Sequence, residues 1–105
     1  MTHYLFIIEA RTAWKRLRGL LFRAPLPAGH ALRLAPCRAV HTVGMRHDID
    51  VVFVDRLGVV CAIRAPLPAW RAAACLGAWA VLELRAGQVA ALGIATGDRI
   101  DAQAD

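Results

Sequence analysis

The run Ile49-Asp50-Val51-Val52-Phe53-Val54, followed by Asp55-Arg56-Leu57-Gly58, constrains this chain more than any other segment. β-Branched and aromatic side chains pack best on a pleated surface, so residues 49–54 read as a buried strand. Asp55 to Gly58 reads as a tight hairpin turn, with Val59 to Ile63 returning as the antiparallel partner. Period-2 alternation places Asp48, Asp50, Val52 and Val54 on one face and Ile49, Val51, Phe53 and Asp55 on the other. Asp50 therefore shares a face with core-type valines. An unpaired buried carboxylate is expensive, so it has to be hydrogen-bonded.

The same reasoning extends outward. Tyr4 to Ile8 reads as a first strand. Thr12 can cap a short helix with Trp14, Leu17 and Leu21 on one face, and Gly19 falls where its C-cap would sit. Two prolines and a glycine make residues 24–29 a loop. Ala31 to Leu34 is a short strand stopped by Pro36, and Pro66-Leu67-Pro68 interrupts the pattern again. Trp79 to Leu84 alternates, with Trp79, Val81 and Glu83 opposite Ala80, Leu82 and Leu84. Gly87 to Leu92 reads as a helical stretch closed by Gly93. Thr96-Gly97-Asp98 turns the chain into a last strand, Arg99 to Asp101. The expected fold is mainly β, a small, mostly antiparallel β sandwich or barrel with two short helices, in one domain over 1–105.

Composition supports a globule: 58% of the residues are hydrophobic and 20% charged. The net charge is +5, and eight of the thirteen basic side chains fall in residues 1–46, opposed there by Glu9 alone. A basic half can meet nucleic acid or anionic lipid, but no aromatic interleaving or helix-turn-helix pattern accompanies it, so nucleic acid is not the expected partner. Three cysteines, Cys37, Cys61 and Cys75, argue against a closed disulfide framework. Cys61 and Cys75 sit among apolar neighbours and read as small hydrophobes. The start lacks a basic n-region, and no apolar run reaches the ~20 residues of a membrane span. A cytoplasmic protein without a membrane span is expected.

Several segments in order carry a resemblance. They are Gly19-Leu20-Leu21-Phe22-Arg23, Cys37 through His41-Thr42-Val43-Gly44-Met45-Arg46, Ile49-Asp50-Val51-Val52-Phe53, Val81-Leu82-Glu83-Leu84, Ala86-Gly87 and Gly97-Asp98. Together they resemble the domain-of-unknown-function 192 family of small bacterial and archaeal proteins, over roughly residues 10–101. The resemblance implies a compact β-rich domain with no accepted activity. Commoner members carry a Trp-Met pair followed by Lys-Asn-Thr. An ungapped match puts His41 and Thr42 on that pair, which is similar to a variant branch reading His-Thr-x-Gly-Met-Arg. The branch implies an accessory role in envelope or pilus assembly as one option.

The chemistry-bearing residues gather just before the strand. Cys37, Arg38, His41, Thr42, Met45, Arg46 and Asp50 form the candidate ligand-binding set, and two guanidiniums give it a preference for an anionic small molecule or protein segment. Such a set predicts a concave pocket beside His41. The structural alternative has Asp50 accepting backbone N–H groups, Thr42 or Arg46 and locking the loop. An enzyme reading, a small hydrolase, would use Cys37 as nucleophile with His41 as base and Asp50 or Glu83 as orienter, or a metal on Cys37, His41 and His47 with Cys61 or Cys75 as a further ligand. With no Cys-x-x-Cys pair and no phosphate-cradling glycine loop, no catalytic residue, metal or cofactor is expected. Glu83 and Asp98 read as structural polar groups, and the tryptophans as core or rim anchors.

Overall fold

The computed structural model describes residues 1–10 and 25–103. Eight strands are present among them: β1 (Thr2–Glu9), β2 (His30–Leu34), β3 (Ala39–His41), β4 (Ile49–Val54), β5 (Val60–Leu67), β6 (Ala72–Ala74), β7 (Ala80–Arg85) and β8 (Arg99–Ala102). One short helix, α1 (Gln88–Leu92), follows β7. The helix expected after Thr12 lies outside the described residues, as does the Gly19–Arg23 motif. The fold is mainly β, as the strand pattern requires.

Six strands form one sheet in the order β5-β4-β7-β2-β1-β8, and β3 pairs with β6 in a separate ribbon. All six residues of β4 are buried. Its alternation survives as a division between two cores. Val52 and Val54 join Leu5, Val60, Leu82, Leu84 and Ile100 on one side. Ile49, Val51 and Phe53 join Leu32, Val40, Met45 and Val81 on the other. Both faces are covered, so the strand reads as a near-continuous apolar run. The Asp55 carboxylate accepts the N–H groups of Leu57 (2.8 Å) and Val59 (3.0 Å) and so shapes the turn into β5.

Three features depart from the sequence reading. The sheet is mixed: β1 runs parallel to both β2 and β8. Residues 10–29 between β1 and β2 are long enough for the crossover that a parallel pair needs. The strand β5 runs on through Pro66 to Leu67, because it is an edge strand and Pro66 needs no ladder donor there. The β3–β6 ribbon was not expected, since three alanines (Ala72–Ala74) carry little strand preference of their own.

The curled sheet brings its two ends together without closing into a barrel. Val60 N–H bonds to the Asp98 carbonyl (2.7 Å), Gly97 N–H to Val60 (2.8 Å) and Ile100 N–H to Gly58 (2.9 Å). Gly58 has φ 82° there, and a Cβ at that position would sit 2.8 Å from the Ile100 carbonyl oxygen. Among the described residues, no helix is long and apolar enough to cross a membrane.

Candidate functional site

Thr42 is the hub of the region that the sequence singles out. It follows β3 directly and is fully buried. Its hydroxyl donates to the Pro68 carbonyl at 2.6 Å and accepts the Arg71 N–H at 2.8 Å. Its own N–H bonds to the Arg71 carbonyl (2.7 Å), and its carbonyl accepts the N–H groups of Trp70 (2.9 Å) and Met45 (3.1 Å). The side chain, N–H and carbonyl of this one residue thus bind two loops, 42–46 and 68–71, into a single tip. Asp48 ties the second loop again, with its carboxylate accepting the Ala69 N–H at 3.1 Å.

The exposed side chains of the two loops are largely apolar and basic, with the exposed Asp48 carboxylate beside them. Trp70 is 63% exposed and Val43 48%. Trp70 has φ 65°, which is the positive-φ region that a bulky residue avoids. His41, Arg46 and Arg71 are exposed as well. The His41 Nδ1 accepts the Val43 N–H at 3.2 Å. The Arg71 guanidinium donates to the Trp70 carbonyl at 3.2 Å. Met45 is buried below, in the same core as Phe53 and Val40.

The remaining expected residues lie elsewhere. Asp50 is 1% exposed. Its Oδ2 accepts the N–H groups of Gly87 (3.1 Å) and Val89 (2.8 Å), so it caps α1 rather than the 41–46 loop. It borders a hollow formed by Ala65, Pro66, Gly87, Ala90 and neighbours, whose lining includes none of Cys37, Arg38, His41, Thr42, Met45 or Arg46. Cys37 lies two residues before the three-residue strand β3, and His41 is the last residue of that strand. The Cys37 thiol donates to the Ala39 carbonyl at 3.1 Å. Arg38 is exposed and borders a shallow hollow with Asp55, Arg56 and Trp79. Among the described residues, no three His, Cys, Asp or Glu side chains are grouped to hold a metal ion.

Two polar groups read as structural occupy distinct settings. Glu83 is fully enclosed between Leu32 and Val51 on the neighbouring strands, and it is partnered there. Asp98 receives the His3 ring Nε2 (2.8 Å) and the Ala95 N–H (3.0 Å) on one oxygen and the chain's amino terminus (3.3 Å) on the other. The His3 hydrogen bond above all, then the Ala95 N–H and the amino terminus, hold its carboxyl down at about 2. The sequence reads Trp70 as a core or rim anchor, not as the exposed residue it is, and assigns no role to His3 or Arg71. For Trp70 a signal existed: Pro68-Ala69-Trp70-Arg71 sits in a breaker-rich stretch, where an aromatic residue has no strand or helix to bury it. Trp79 is half-buried against the first core, with the Arg56 guanidinium 4.1 Å from its ring centre.

A family model, that of domain of unknown function 192 ("Uncharacterized ACR"), matches residues 3–102. No curated protein matches the chain. Among solved structures it is similar to a protein of unknown function from Novosphingobium aromaticivorans DSM 12444. The two are 28% identical, with 91% of this chain and 74% of that one covered and a TM-score of 0.74. It is also similar to a Sinorhizobium meliloti 1021 protein described as a candidate transcription regulator. That pair is 22% identical over 90% of this chain and 79% of that one, with a TM-score of 0.76, and the likeness carries the fold alone.

Proposed function

This chain belongs to the domain-of-unknown-function 192 family, and from that footing we propose that it is a small non-catalytic binding module for a carboxylate-rich segment of a partner protein. The recognition surface is the tip of residues 41–46 and 68–71. His41, Arg46, Trp70 and Arg71 are among its exposed residues, and Arg38 lies apart from it beside Asp55, Arg56 and Trp79. Thr42 and Met45 hold the tip from below, Cys37 packs at the far end of β3, and Asp50 fixes α1.

One observation carries this reading: a tryptophan 63% exposed is held at φ 65°. A left-handed conformation costs a non-glycine residue about 1–2 kcal/mol, and an exposed indole forgoes the stabilisation of burial. Such outliers concentrate at ligand clamps. Tryptophan and arginine dominate the energetic centres of interfaces, and guanidiniums match carboxylates in bidentate pairs. A protruding indole suits a protein segment better than a small molecule, which prefers a concavity. The Cys37 thiol is engaged by the Ala39 carbonyl, which favours binding over nucleophilic catalysis.

The His-Thr-x-Gly-Met-Arg branch is part of the same proposal, because the tip accounts for its residues. Thr42 is the hub, Gly44 occupies φ 85° and Met45 plugs the core.

The test is a titration of isotopically labelled protein with an oligoglutamate peptide, followed by NMR. The expected result is salt-sensitive shifts at the Trp70 indole and the Val43 and Arg71 amides, abolished by Trp70→Ala and weakened by Arg46→Glu. Tighter binding of a single-stranded oligonucleotide of matched charge would replace the protein partner by nucleic acid. An unmoved Trp70 indole with both probes removes the surface altogether.

A further inference from the structure

The sulfur atoms of Cys61 and Cys75 lie 3.7 Å apart. The contact is built by the backbone. In the β4–β5 ladder Phe53 faces Ala62 and Val54 faces Val60, which leaves Cys61 as the extra residue of a bulge. Bulges re-aim side chains, and this one turns the thiol toward β6. Cys75 is pinned from both sides: its N–H bonds to the Arg38 carbonyl (2.9 Å) and its carbonyl accepts the Ala78 N–H (3.1 Å). Cys61 is exposed, which corrects the reading of it as a small hydrophobe, whereas Cys75 is half-buried against the second core.

We infer that Cys61 and Cys75 are a reversible dithiol–disulfide modification site that clamps the base of the segment carrying Trp70. A disulfide bond is about 2.05 Å long, so the sulfur atoms have to approach by only about 1.7 Å. The edge position of β5 and its bulge permit that shift. The loop so closed contains Pro66 to Pro68 and the turn at Trp70. The inference stands independently of what the tip binds.

The oxidant is a low-molecular-weight disulfide of the glutathione type. Cys61, the more accessible thiol, loses its proton to solvent and attacks one sulfur of the oxidant. The oxidant's S–S bond breaks and the first thiolate leaves, taking up a proton. Cys75, likewise deprotonated, then attacks the Cys61 sulfur and expels the second thiolate. Two protein thiols are oxidised and the oxidant is reduced to two thiols. Partial desolvation first, and then the adjacent Cys75, push the Cys61 thiol up, so the reaction accelerates as pH rises.

The experiment is incubation of the full chain with excess glutathione disulfide. Titratable thiols should fall from three to one, with Cys37 remaining. The intact mass should drop by two hydrogens. A tryptic digest should contain peptide 57–64 linked to peptide 72–85, released by reductant. The Cys75→Ser variant should instead keep a lasting glutathione adduct on Cys61. Persistence of all three thiols, an unresolved adduct on Cys61 in the unaltered chain, or a linkage only between chains would each overturn the inference.

Discussion

Thr42 shows how a single hydroxyl can organise a surface. Valine has nearly the same shape but neither donates nor accepts. Thr42→Val leaves the Pro68 carbonyl and the Arg71 N–H without the partners they have at 2.6 and 2.8 Å. Leaving such buried groups unsatisfied costs about 1–3 kcal/mol, so urea denaturation of this variant should show a loss in that range, with Thr42→Ser clearly milder. Asp98 makes a different demand. Its carboxyl titrates at about 2 in the folded chain, against an ordinary value of 3.8. The unfolded chain therefore binds the proton first as pH falls. The stability contributed by Asp98 is complete above pH ~4 and disappears as the pH drops toward ~2. Stability measured across that window should slope less steeply in Asp98→Asn than in the parent. An unchanged slope would remove Asp98 from the acid response.

The helix α1 cannot account for itself. It has five residues, no capping side chain of its own and no acid in its first turn, and helices much shorter than about 12 residues are marginal in isolation. Its stability comes from Val89, buried in the core, and from Asp50, which reaches across from β4 to its first N–H groups. Asp50→Ala should cost roughly 1–3 kcal/mol, because it strips a carboxylate from buried donors. Hydrogen exchange should accelerate first at Gly87 and Val89 and leave the β4–β7 ladder comparatively protected. Uniform acceleration would mean that α1 and the sheet open together. The β3–β6 ribbon follows a similar logic. Its alanines are held by pairing with Ala39 to His41 and by the core beneath Val40, not by strand preference.

Across the whole molecule, the curled sheet depends on the close approach of its two ends at Gly58. Two glycines make a useful contrast. Gly29 has φ 76° with open space around it, whereas Gly58 has φ 82° and the Ile100 carbonyl in the place of a Cβ. Both alanine variants carry the backbone strain of about 1–2 kcal/mol, but Gly58→Ala also has to push the ends apart. It should destabilise measurably more than Gly29→Ala in thermal unfolding and deprotect the Val60 and Ile100 amides. Equal losses would show that the junction contributes nothing beyond the turn.

What could be read from the chain itself was whatever neighbouring residues settle among themselves. The limits of β4, the Asp55–Gly58 turn, the division of Val52 and Val54 from Val51 and Phe53, and a helix between Gly87 and Gly93 all follow from side-chain period and turn chemistry. Of the candidate set, Thr42 and Met45 build the tip, while Asp50 caps α1 and Arg38 lies beside Asp55 and Trp79. The parallel pairing of β1, the Asp50 cap on α1, the Cys61–Cys75 contact and the tip that holds Trp70 outward were not legible. Each joins residues far apart in sequence, and each arises because the backbone donors and apolar faces of one element are satisfied by another. Hydrogen-bond and packing demands are written locally, but their partners are chosen only when the chain closes on itself.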